Sequence, residues 1–68
     1  MSALPRAEGV ADVEGEWRAY VVEVEHARQD YIQYLRAPDR EEPEVERLWL
    51  RLWLAERRRD ELFRILVA

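Results

Sequence analysis

Glu23, Val24, Glu25 and His26 form the one stretch of the chain with metal-like spacing, a Glu-x-x-His whose two end residues lie one turn apart on the same helical face. Helical bundles that bind two irons use this spacing, and a symmetric dimer would present it twice, with Asp30 or Glu56 able to bridge. Glu23 and His26 are therefore the candidate ligands for iron, manganese or zinc. By wheel geometry, however, His26 falls about 160° from Val24, which places it among surface acids facing solvent. It is also the only histidine, so a His-pair metal site within one chain is ruled out. The expectation is no cofactor, with a metal-binding helical oligomer of di-iron type as the alternative reading.

Nucleophilic chemistry has even less to draw on. Cysteine and threonine are absent, and Ser2 is the only serine, so no Ser/His/Asp or Cys/His arrangement is available. The carboxylates are many, but they fall on exposed helix edges and in a loop where nothing raises a pKa. Two isolated glycines do not make a phosphate-binding loop. No catalytic residue is expected, and the balance is against an enzyme, with a ferroxidase-like activity left open within the metal-binding alternative.

Arg57, Arg58 and Arg59 would suit phosphates, and Trp49 and Trp53 would suit stacking on bases, so a nucleic-acid-associated regulator is a further alternative. Consecutive helical residues diverge by about 100°, though, and Glu56, Asp60 and Glu61 stand within one turn to neutralise them. A salt-bridged surface is the expected outcome, and nucleic acid is not the expected partner. All eleven basic residues are arginine, against fifteen acids, for a formal charge of −4. That charge is uneven: Pro38 to Glu46 holds five acids against Arg40, whereas Arg47 to the end holds six arginines against three acids, a distribution that would let antiparallel copies attract.

The stretch Leu48-Trp49-Leu50-Arg51-Leu52-Trp53-Leu54-Ala55 dictates the elements around it. A helix with one buried stripe needs polar residues elsewhere, yet Arg51 is the only polar residue in these two turns. Leu50 and Leu54 point nearly opposite Leu52 with Trp53 at the side, so Trp49, Leu50, Trp53 and Leu54 are the expected oligomer or partner interface. At 68 residues without cysteine, a single core is marginal and oligomerisation is the usual remedy.

Two long helices follow from the spacing. Val13, Trp17, Tyr20, Val24, Ala27, Tyr31 and Tyr34 recur at alternating steps of four and three, a coiled-coil-like heptad seam. Val21 and Leu35 widen it on one edge; Glu16, Glu23 and Asp30 line the other at intervals of seven, where partner-selecting charges sit. The second seam is Val45, Leu48, Trp49, Leu52, Ala55, Leu62, Phe63 and Leu66, interrupted by Arg59, which would need a carboxylate such as Glu23, Asp30 or Glu56 if buried. The expected organisation is a flexible N-terminal arm over 1–11, helix 12–37 capped by Asp12, loop 38–42, and helix 43–66 opened by Pro43 or by an Asp39/Glu42 capping box. The fold class is all-α: an antiparallel αα-hairpin assembling into a four-helix bundle or larger helical oligomer. No apolar run approaches a membrane span and no export signal is visible, so the expected location is the cytoplasm. The expected role is self-association or binding of a heterologous protein, as adaptor, regulator or assembly subunit.

Overall fold

The computed structural model describes the backbone from Arg6 and the side chains from Asp12 to Ala68. Two helices make up the described chain: α1, Arg6–Leu35, and α2, Glu42–Val67. At 1.5 Å per residue they run about 45 Å and about 39 Å. Early residues of α1 pair with late residues of α2, as in Glu16 with Arg58 and Arg28 with Glu56, which is the signature of an antiparallel hairpin.

Helix α1 begins earlier than the periodicity suggests. Residues 1–5 of the expected arm lie outside the described residues, but 6–11 are helical and Asp12 is inside the helix, not its cap. Ala7, Glu8 and Ala11 are strong helix formers, and Val10, three residues before Val13, continues the spacing of the seam. The other end obeys the expected logic. Pro38 blocks continuation, and the helix closes with tight turns in which Arg36 N–H donates to the Gln33 carbonyl (3.2 Å) and Ala37 N–H to that of Tyr34 (3.0 Å). The Arg40 guanidinium donates to the Leu35 carbonyl at 3.0 Å, satisfying one of the oxygens that a helix end leaves free.

The connection is 36–41, slightly earlier than expected. Glu41 occupies the N-cap of α2 in extended geometry (φ −116°, ψ 140°) with no side-chain cap, so the Asp39/Glu42 capping box does not form. Pro43 in the first turn, Glu42 and Glu44 beside the positive helix end, and the Val45 N–H donating to the Glu41 carbonyl (3.0 Å) define the start instead. Tyr34 ties the turn to α1: its hydroxyl accepts the Glu41 N–H at 2.9 Å.

The contact line between the helices is narrow. Val24, Ala27, Leu48, Ala55 and Leu62 are the buried apolar residues, two of them alanines that let the helices approach closely. Val13, Trp17, Tyr20, Tyr31, Leu52 and Leu66 of the expected seams are half-buried around this line, and Phe63 is exposed. The radius of gyration is 16.1 Å, where a compact chain of this length would have about 11 Å. The extents, 56 × 23 × 15 Å, describe a plank two helices wide and one thick. Neither helix is long and apolar enough to cross a membrane.

Gly15 sits inside α1 with ordinary helical backbone, and a methyl group added there would meet no atom within 4 Å. Gly15→Ala should therefore raise stability by about 0.5–1 kcal/mol, the helix-propensity difference alone, measured by urea unfolding.

Candidate functional site

Seen along its length, the plank has two unlike faces. One edge carries the interhelical ion pairs. Arg51 places its Nε 2.8 Å and its Nη2 3.3 Å from the two Glu23 oxygens, while Nη1 donates to Asp30 at 2.8 Å. One helical repeat further on, Arg58 reaches Glu16 at 3.1 Å and Glu61 on its own helix at 3.4 Å. Glu16, Glu23 and Asp30 thus do line an edge at intervals of seven, and they meet Arg51 and Arg58, also seven apart. The Glu23 carboxyl is held below its usual range, chiefly by the hydrogen bond from Arg51 and against a smaller desolvation effect. Donating hydrogen bonds to Glu23 and then to Asp30 pushes the pKa of the Arg51 guanidinium upward, so it stays charged at any accessible pH.

Arg51, not Arg59, is the arginine that clasps the helices. Arg59 is half-buried and binds only its neighbour Asp60 (3.0 Å), with none of Glu23, Asp30 or Glu56 as partner. The signal for Arg51 was its seven-residue spacing from Arg58 set against the same spacing of the acids on α1. Arg57 and Arg58 fan outward as their wheel positions require; Arg57 approaches Glu61 at 3.6 Å and lies over the Trp53 ring, 5.3 Å from its centroid.

The opposite face mixes apolar side chains from both helices with charged ones, among them the exposed Glu25, four residues after Val21 and seven before Ile32. The half-buried Trp17 packs on Phe63 with ring centroids 6.1 Å apart, and Val21 and Ile32 stand exposed on the α1 side. On α2, Trp49 is 48% exposed and stacks against Trp53 with centroids 6.3 Å apart and planes at 16°. Among the described residues one interhelical ion pair, Arg28 with Glu56 at 3.4 Å, crosses this face.

Trp49, Leu50, Trp53 and Leu54 are all exposed, but they divide into two flanks. Trp49 and Trp53 form a stack one turn apart, and Leu50 and Leu54 lie about 100° round the helix from it, behind the Arg51 edge. Leu48 is the anchor of this stretch, buried against α1.

Both Glu23 oxygens receive hydrogen bonds from Arg51, His26 is exposed on α1, Asp30 is also taken by Arg51, and Glu56 is paired with Arg28. Among the described residues no group of three or more His, Cys, Asp or Glu converges.

Similarity to known proteins adds nothing to this geometry. No family model, curated protein or solved structure matches the chain.

Arg51→Gln should destabilise the hairpin by roughly 1 kcal/mol, the upper range for partly exposed pairs, whereas Arg59→Gln should leave thermal unfolding nearly unchanged. Because the folded-state pKa of Glu23 is lowered, its contribution is full above the ordinary carboxylate range and lost as pH falls through the lowered value. The melting-temperature gap between wild type and Glu23→Gln should accordingly narrow on acidification from pH 7 to pH 3.

Proposed function

We propose that this chain is a small non-enzymatic helical protein that acts through self-association and protein–protein interaction, as an adaptor, regulator or assembly subunit. The observation that carries this reading is the imbalance of apolar burial. Among the described residues ten large apolar side chains are exposed, including Trp49, Trp53, Phe63, Ile32 and Leu54, against five buried apolar residues of which two are alanine. Isolated exposed apolar residues are ordinary, but here Trp49 stacks on Trp53 and Phe63 packs on Trp17, and exposed apolar clusters on small proteins mark interaction surfaces. Pairing of hairpins into a four-helix bundle is the simplest arrangement that covers them.

No comparable observation favours the other readings. The Glu-x-x-His motif has its glutamate committed to Arg51, and each of Arg57, Arg58 and Arg59 has an acid within 4 Å.

Sedimentation equilibrium at micromolar to millimolar concentration tests the proposal. A mass of at least two chains, with a melting temperature that rises with protein concentration, is the expected result. A well-ordered monomer of 8.2 kDa throughout that range would overturn it. Trp53→Glu should weaken association roughly tenfold or more, since a charge would be desolvated where an indole was.

A further inference from the structure

We infer that the partner is a second copy of this chain, whose α2 packs antiparallel on this α2 along the seam Glu46, Leu50, Trp53 and Arg57. This rests on the self-association reading above and adds the surface and the direction of the contact.

The seam is one of three that run through the exposed apolar turns of α2, and charge separates them. Steps of three, four and three, as on a helix facing another helix, give Glu46, Trp49, Trp53 and Glu56 on one flank. The same steps give Arg47, Leu50, Leu54 and Arg57 on the other. Between the flanks, steps of four, three and four give Glu46, Leu50, Trp53 and Arg57. The first apolar pair is thus bracketed by two acids, the second by two arginines, and the third by one of each. All four residues of the third seam are exposed, and they lie on the opposite side of α2 from Leu48, Ala55 and Leu62, the side that α1 does not cover.

A two-fold contact gives each residue a fixed counterpart in the other copy. With the axis across the helices, the first position of a seam meets the last. On the Trp49 flank that sets Glu46 against the partner's Glu56, and on the Leu54 flank Arg47 against the partner's Arg57. Of the three, only the middle seam sets an acid against an arginine. Glu46 meets the partner's Arg57 at both ends, and Leu50 meets the partner's Trp53 in the two layers between. With the axis along the helices every position meets itself, so Glu46 would oppose Glu46 and Arg57 would oppose Arg57. Opposite charges bracketing an apolar centre favour the first arrangement, and like charges penalise the second. Antiparallel packing also opposes the dipoles of the two α2 helices.

Both bracketing charges are available. Glu46 takes no part in the ion pairs among the described residues, and Arg47 beside it is held by Glu44. Arg57 approaches Glu61 no closer than 3.6 Å and lies over the Trp53 ring, which keeps its guanidinium at the rim of the apolar centre. Two further acids lie near the seam, and each has arginines of its own hairpin: Arg59 for Asp60, and Arg58 with Arg57 for Glu61. Glu42, one turn before Glu46, and Arg64, seven residues after Arg57, extend the same acid-to-arginine polarity. Leu50 and Trp53, 47% and 41% exposed, then form the desolvated centre inside a charged rim.

Charge exchange tests the seam and its direction together. Glu46 and Arg57 are exposed on the side of α2 away from α1, so substitutions there should leave the helix content of the hairpin, read by circular dichroism, intact. Glu46→Arg and Arg57→Glu should each weaken self-association about tenfold in sedimentation equilibrium, because each sets like charges together at both ends of the seam. The chain carrying both substitutions should associate as the wild type does, since both pairs return with their signs exchanged. Single variants that associate like the wild type, or a double variant no stronger than the singles, would overturn the seam while leaving self-association standing. A monomeric wild type would overturn both.

Discussion

Two antiparallel helices share one line of contact, and everything else about this molecule follows from how little that line can bury. Leu48, Ala55 and Leu62 repeat every seven residues along α2 and meet Val24 and Ala27 of α1; among the described residues no other is buried. Helices of 30 and 26 residues are far longer than so thin a core ordinarily supports. Their length makes sense physically when the apolar surface beyond the contact line is treated as unfinished interior. The proposed pairing supplies the missing layer.

Charge has a different task from burial here. The Arg51 and Arg58 pairs are too exposed to contribute much to stability, but their matched seven-residue spacing penalises any slip of one helix along the other. A slip of one turn would leave Glu23 and Asp30 without their shared guanidinium. Register is also held at the turn, where Tyr34 and Arg40 tie the connection to the end of α1 and Pro43 sets the start of α2. Ionic clasp and turn agree on a single alignment, and that alignment places Trp17 over Phe63 on the opposite face.

Much of this was legible before any coordinates. The two seams, the stop before Pro38 and the charged edge at 16, 23 and 30 are all periodicity or backbone chemistry, which act locally and so are written locally. The misreadings have equally specific causes. Arg59 looked like the inward charge because it falls within the apolar stripe, but the stripe is wider than the contact line, and Arg59 lies where its side chain can turn to Asp60. The start of α1 was placed late because Pro5, Gly9 and small side chains read as an arm, although Val10 continues the seam and Ala7, Glu8 and Ala11 favour helix. Spacing within one helix also says nothing of what the neighbouring helix offers, and so could not show that Arg51 meets the Glu23 carboxylate.

By itself the amino-acid order determined that there are two helices, where they turn, that the chain carries more apolar surface than one hairpin can hide, and how its charge is split between the ends. Those properties depend on neighbours within a turn or on simple counts. Only the tertiary structure decided which arginine meets which acid and how the four residues around Trp53 divide between flanks. Both depend on the rotation of one helix about its axis relative to the other. A rotation of a few tens of degrees exchanges a buried position for an edge, and packing across the two helices sets it.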